Sequence, residues 1–265
     1  MKAFALKVKI PSRFDNLQLE PIGDTHVDDI NFVEPKLKEV IERIRTEPNR
    51  YTIGMGDYAS AIYTNAAERR SAMTIRPEFK DNPVASYGWL ATQLEPIKKK
   101  ILLMLLGNHD YAVEKLGHIN PVEELLCKRL GVPYGGYVSL VSLTVTNGKH
   151  ERNWRLYLTH GKFGGGLPAN SLSKLERMAQ SFEADVYLAG DRHEIVSDKR
   201  PIITIDEKGQ IVKFDRIYGI TGCFVEGYDD KGYTSFPEMI MGSANRVGTL
   251  TVQFQLTNGK VYIHA

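Results

Sequence analysis

Cysteine is scarce in this chain of 265 residues: Cys127 and Cys223 are the only two, and no Cys-x-x-Cys spacing occurs. So few thiols fit a reducing compartment and read as packing residues rather than a disulfide framework. No apolar run reaches the roughly eighteen residues that a membrane helix needs. The first stretch, from Met1 to Leu6, is interrupted by Lys7 and Lys9 before a signal-type apolar core forms. A cytoplasmic protein with no membrane partner is therefore expected. Excess charge is missing too. The formal net charge of +2 neither demands nor excludes nucleic acid. Internal repeats, low-complexity tracts and clear linkers are absent. With 42% hydrophobic and 25% charged residues, the composition is that of an ordinary globular protein.

What the chain does have is five short polar islands, each at the end of an apolar run. They are Gly23-Asp24-Thr25-His26, Gly56-Asp57, Gly107-Asn108-His109-Asp110, His160-Gly161 and Gly190-Asp191-Arg192-His193. A strand that ends in glycine and then offers a carboxylate or imidazole delivers that group to the carboxyl edge of a sheet, where α/β proteins keep their sites. Asp, His and Asn are oxygen and nitrogen donors for divalent metals. Five such edges in one chain argue for one site with two metals, and so for chemistry at phosphorus. The islands must meet in one place, so residues 1–265 read as a single domain.

The hydrophobic pattern supplies the frame. Residues 4–10 read as an edge strand and residues 17–22 as the first core strand. Val33 to Arg45 is amphipathic, and residues 51–55 form the next strand. Asn82-Pro83 and Asn120-Pro121 each give a cap-plus-proline helix start. Lys98-Lys99-Lys100 reads as a solvated lead into the buried strand 101–106. Asn147-Gly148 joins two strands, and Ser173-Lys174-Leu175-Glu176 resembles a capping box. A last strand, 185–189, delivers the fifth island. Residues 196–265 read as short strands that complete a second sheet.

The ordered set Asp-x-His, Gly-Asp, Gly-Asn-His-Asp, His-Gly and Gly-Asp-x-His, over roughly residues 17 to 195, resembles the calcineurin-like metallophosphoesterase superfamily. The stretch from Thr159-His160-Gly161 through Ala184-Asp185 is similar to uncharacterised microbial and phage members. The resemblance implies an α/β fold in which two mixed β-sheets form a sandwich flanked by helices, with a dinuclear metal site at the strand ends. It implies that Asp24, His26, Asp57 and His193 hold one divalent ion and Asp57, Asn108, His160 and Asp191 the other, with Asp57 as the bridge. Manganese is the preferred ion, with magnesium, iron or zinc as alternatives. His109, Asp57 and Asn108 are the implied catalytic residues, and a hydroxide between the metals would attack phosphorus in line. His109 and Asn108 would also contact substrate. His109 would act as general acid or as a positive contact, with its tautomer set by Asp24 or by a backbone carbonyl.

One island departs from the family pattern, which has Gly-His-x-His where this chain has Gly190-Asp191-Arg192-His193. A carboxylate at Asp191 favours hard ions and makes the loaded site one charge less positive. Arg192 is the candidate to return that charge by gripping a phosphate oxygen. The expected activity is hydrolysis of a phosphodiester in a nucleotide or nucleic acid. A phosphomonoesterase acting on a nucleotide, sugar phosphate or phosphoprotein, and a non-catalytic scaffold of the same fold, are the alternatives. The walls that separate them are expected from residues 58–82 and 220–245. The glycine triplet 164–166 is a candidate for close approach to phosphate. Tyr58 and Tyr111, each following an island, read as rim packing or as stacking surfaces. Oligomeric state is not legible.

Overall fold

A computed structural model describes residues 1–60, 75–80, 82, 84–117, 119–162, 168–228 and 244–264. The glycine triplet 164–166, Pro83, and residues 61–74, 81 and 229–243 of the expected pocket walls lie outside the described residues. In chain order the main elements are β1 (Lys2–Lys9), β2 (Asn16–Leu19), α1 (Glu34–Thr46), β3 (Arg50–Gly54), α2 (Val84–Leu94) and β4 (Ile101–Leu105). They continue with α3 (Asn108–Gly117), α4 (Lys128–Leu130), β5 (Tyr134–Gly136), β6 (Val138–Thr146), β7 (Glu151–Thr159) and α5 (Pro168–Met178). The chain closes with β8 (Val186–Ala189), β9 (Ile195–Ile205), β10 (Ile211–Thr221), β11 (Thr251–Gln255) and β12 (Val261–His264).

The strands form two six-stranded mixed sheets, ordered β1-β6-β7-β8-β10-β9 and β12-β11-β2-β3-β4-β5. Alternation along the central strands explains the layering. Leu103 and Leu105 of β4 join Val186 and Leu188 of β8 in the core between the sheets. Ile101 and Met104 of β4 face the helices instead, meeting Leu37, Val40, Ile41 and Ile44 of α1 and Leu90 and Leu94 of α2. Tyr187 and Ala189 of β8 face the opposite way, toward Leu175 of α5. Each strand is thus buried on both faces, which is why these segments read as continuous apolar runs. The two mixed sheets flanked by helices are the α/β architecture expected.

Local signals account for most of the element starts. Asn82 accepts from the Ala85 N–H at 3.3 Å through Oδ1, and Asn120 does the same for Glu123 at 3.0 Å. The second helix opens as a π-helical stretch, Val122–Cys127, before α4, and Gly131 closes it at φ 68°. Among the described residues, no helix is long and apolar enough to cross a membrane. Both cysteines are buried free thiols.

Three expectations fail. Residues 196–265 do not build one sheet: β9 and β10 complete the first and β11 and β12 the second. β9 and β10 are also long, at 11 residues each. Ser173 and Glu176 do not cap a helix, because α5 already begins at Pro168 and both lie inside it. Lys98-Lys99-Lys100 is not a free lead into β4 but the end of a 3-10 turn, Glu95–Lys100. Its ammonium at Lys100 donates to the carbonyls of Ile44 (2.6 Å) and Glu47 (2.7 Å) at the carboxyl end of α1. The Ile44 carbonyl lacks a partner within the helix, the Glu47 carbonyl also accepts from the Arg50 N–H at 3.1 Å, and a cation there is favoured by the negative end of the helix dipole. Lys100→Met should therefore lower stability by about 2 kcal/mol in urea unfolding. An unchanged midpoint would show that solvent satisfies these carbonyls equally well.

Candidate metal centre

The islands do meet. All sit at one end of the sandwich, beyond the carboxyl ends of β3, β4, β7 and β8 and the Ile22–Gly54 bridge that extends β2. Five of their residues have left-handed backbone: Asp24 (φ 47°), His26 (40°), Asp57 (51°), Asp191 (68°) and His193 (54°). Such conformations cost on the order of 1 kcal/mol each for a residue with a side chain and persist where the surroundings fix them. The glycines beside them allow the strand ends to crowd. A Cβ at Gly107 would fall on the carboxylate and amide nitrogen of Asp57, and one at Gly190 would lie 2.8 Å from Asp24 Oδ2.

Donor atoms converge in two sets that share a residue: Asp24, His26 and His193, and Asp24, Asp57 and His160, with the ligand atoms of each set within 4.8 Å of one another. In the first, the Nε2 atoms of His26 and His193 face each other at 3.1 Å, and His193 Nε2 is 3.5 Å from Asp24 Oδ1. In the second, His160 Nε2 lies 3.1 Å from Asp57 Oδ2 and 2.9 Å from Asn108 Oδ1. Asp57 Oδ2 is 4.0 Å from His26 Nε2, so this carboxylate stands between the sets. Asp191 places Oδ1 at 3.9 Å from His160 Nε2, while its backbone N–H donates to both oxygens of Asp24 at 3.1 Å.

The imidazoles are oriented from behind. His160 Nδ1–H donates to the Met55 carbonyl at 2.8 Å, and His109 Nδ1–H donates to the Ser60 carbonyl at 2.6 Å. A carbonyl only accepts, so the proton stays on Nδ1 and Nε2 is turned to the site. Of the two partners open for His109, the structure uses the backbone carbonyl. His109 also donates its backbone N–H to Asp57 Oδ1 at 2.9 Å, and its Nε2 is 3.9 Å from Asp57 Oδ2. His26 Nδ1 lies 3.2 Å from Ser60 Oγ.

The electrostatics describe a cluster that wants a cation. Burial, then the neighbouring His193 and His109, hold the His26 imidazole well below its usual range, which keeps it a neutral donor. Burial also opposes charge on His160, but Asp57 overcomes this and pushes it up to about 10. Burial would raise the Asp57 carboxyl, yet His160, His109 and His26 outweigh it and hold Asp57 well below the carboxylate range. At His160 a proton on Nε2 faces two oxygens, the position a metal ion takes when it replaces that proton. Oxygen and imidazole donors, with Nδ1 anchored by backbone at His160, are the chemistry of a divalent-metal site. The residues present fit such ions.

Asp110 is the contributor that sequence reading missed. It is fully buried, and its carboxylate accepts from Asp57 N (2.8 Å), Gly107 N (3.0 Å), Tyr58 N (3.2 Å) and the Tyr87 hydroxyl (2.8 Å). Burial, then Asp57, pushes its pKa up to about 7, while its four donor partners suit the ionised form. It stood in the Gly-Asn-His-Asp island all along, and its role shows only once two strand ends are side by side. Arg192 is the other surprise: its guanidinium pairs with Glu194 at 3.3 Å. Tyr58 is a core residue with no exposed surface, whereas Tyr111 is exposed beneath Lys115.

A family model described as calcineurin-like phosphoesterase matches residues 22–218, which span all five islands. The chain belongs to that family. It is accordingly a metal-dependent phosphoric ester hydrolase, as its donor set allows. No curated protein sequence matches it. Among solved structures, Vps29 from Entamoeba histolytica complexed with zinc is similar at 12% identity and TM-score 0.43, covering 94% of this chain and 97% of that one. The calcineurin-like phosphoesterase YfkN from Bacillus subtilis shows 9% identity and TM-score 0.43, over 94% and 90%. A metallophosphoesterase from Sphaerobacter thermophilus shows 10% and 0.39, over 94% and 87%.

In this calcineurin-like chain Asp110 is a positioning residue. Asp110→Asn keeps the shape but turns an NH2 donor toward N–H groups that need an acceptor. It should cost about 2–3 kcal/mol in urea unfolding and lower the divalent-metal content measured by elemental analysis. An unchanged midpoint together with full metal content would sink the assignment.

Proposed function

We propose that this chain hydrolyses phosphodiesters, with nucleotides or nucleic acid as the substrate class, and that residues 1–265 act as one domain. In this reading Asp24, His26, Asp57 and His193 would hold one divalent ion, and Asp57, Asn108, His160 and Asp191 would hold the other. Three carboxylates in the set favour manganese or magnesium over softer ions. Bound ions would supply Lewis acidity toward the phosphoryl oxygens and a water ionised near neutral pH.

The residues supply the rest. Asp57 and Asp24 fix the centre, since both are buried and both accept backbone N–H bonds, from His109 and Asp191 respectively. His109 is anchored through Nδ1, so any proton it transfers leaves from Nε2, on the side of Asp57. Its side chain is 31% exposed, which leaves it open to a substrate. Phosphodiester leaving groups are poor, and a positioned proton donor helps them depart. Asn108, next to it at the start of α3, completes the contact to substrate.

The observation that carries the diester preference is Asp191. It adds a carboxylate 3.9 Å from His160. An extra negative charge penalises a doubly charged phosphomonoester more than a singly charged diester. Arg192, the candidate counter-charge, pairs with Glu194, which reduces what it can offer a second negative charge.

The direct test compares two chromogenic substrates after manganese loading, bis(p-nitrophenyl) phosphate and p-nitrophenyl phosphate. Higher kcat/KM on the diester is expected; the reverse order overturns the diester reading in favour of a phosphomonoesterase. Metal analysis should return two ions per chain. His109→Asn should lower kcat by roughly 10²–10⁴-fold with metal content unchanged. A full-rate variant would remove His109 from the reaction.

A further inference from the structure

Away from the metal centre, the β9–β10 hairpin carries three of the four most exposed large apolar side chains among the described residues. Ile203, Ile205 and Ile211 are 69%, 70% and 79% exposed. Ile205 sits opposite Ile211, and Ile203 opposite Lys213, so the three share one face of the hairpin. Ile217, farther along β10 on the same face, is buried in the core between the sheets. The stripe therefore continues an inner face past the end of the sandwich. β9 is also the last strand of its sheet. An edge strand with exposed isoleucines is a template for another strand unless something covers it.

The hydrogen-bond parity of β9 is fixed by its turn. Asp206 N donates to Gln210 O at 2.9 Å, which makes these a hydrogen-bonded pair. Alternation then turns Thr204, Ile202 and Arg200 toward β10 and leaves the N–H and C=O of Ile203 and Ile205 pointing outward. Pro201 belongs to the outward set, so its missing N–H costs the sheet nothing.

We propose that β9 is the seam of a homodimer, in which two copies pair antiparallel about a two-fold axis at Ile203. In that register Ile203 faces itself and exchanges both backbone bonds. Ile205 faces Pro201 of the second copy and donates to its carbonyl. The charges decide the register. Arg200 comes opposite Asp206 of the second copy, while Lys199 and Asp198 come alongside Glu207 and Lys208 of its β9–β10 turn, each twice by symmetry. Centring on Ile202 sets Asp198 against Asp206, and centring on Thr204 sets Arg200 against Lys208. Centring on Pro201 or Ile205 leaves the charged residues against uncharged ones. Arg200 already bonds Glu176 and Asp198 within its own chain, at 2.5 and 2.9 Å, whereas Lys199 meets an uncharged partner, the Tyr262 ring at 4.8 Å, so the Lys199–Glu207 pair is the better probe.

Sedimentation velocity of the full chain over a concentration series tests this. The wild type should dimerise. Ile203→Lys sets two cations at the axis and should weaken the dimer at least about tenfold. Circular dichroism and phosphoesterase rate should stay unchanged, since Ile203 is exposed and outside the site. Lys199→Glu and Glu207→Lys should each weaken association by about fivefold, and the double exchange should restore it. A wild type that stays monomeric overturns the proposal, as does a dimer indifferent to Ile203→Lys. A double exchange that stays weak overturns the register.

Discussion

The metal centre depends on one buried carboxylate that touches no substrate. Asp110 collects the amides of Asp57, Tyr58 and Gly107 and the Tyr87 hydroxyl, so it ties the end of β3 to the end of β4 and both to α2. All four donors converge on one carboxyl group in a dry setting, where a hydrogen bond is stronger than in water. With its amide fixed, Asp57 can hold left-handed backbone and aim its carboxylate at His160 and His26. Removing the acceptor would strand four buried donors at once. The neighbouring glycine is the complement of that tie. Asp57 fits against Gly107 because no Cβ stands there.

From this junction the rest of the site can be read as a series of anchors. His109 and His26 both lean on Ser60, through its carbonyl and its hydroxyl, and His160 leans on Met55. Ser60 in turn donates its N–H to Asp28 at 2.6 Å. The His109 and His160 imidazoles are thus oriented by main-chain carbonyls, and the His26 imidazole by the Ser60 hydroxyl. That matters for a cluster in which four histidines crowd around Asp24, Asp57 and Asp191. Without backing groups their mutual repulsion and attraction would choose other rotamers.

Much of this was legible in sequence because it depends on local pattern. The islands end buried strands, and a buried parallel strand is a continuous apolar run that glycine terminates. Residues 101–105 and 186–189 show that pattern most clearly. The fate of residues 196–265 was not legible. Which sheet a strand joins is a non-local choice, and neither the β9–β10 hairpin nor the β11–β12 pair carries a local signal for its sheet. Ser173 and Glu176 had the spacing of a capping box, but the apolar face of their helix packs on β8 and β10 from farther upstream, so tertiary packing overrode the local signal. Asp110 was hidden for a related reason. Its partners lie about fifty residues away in Asp57 and Tyr58, and a carboxylate that serves backbone amides carries no spacing of its own.

The fifth island connects chemistry to architecture. His193 is followed two residues later by β9, which runs 11 residues away from the metal centre. At about 3.3 Å per residue, the exposed end of that strand lies roughly 30 Å from the site. The same strand is therefore rooted among the metal donors and ends in the exposed isoleucines. A pair of chains joined at Ile203 would keep the two metal centres at opposite ends and open to solvent. The charge that Asp191 adds to the centre is unaffected by events at that distance, because salt screens it within about 8–10 Å. Substrate preference and assembly are then separate consequences of one segment: the first set by Asp191 and its neighbours, the second by the strand they lead into.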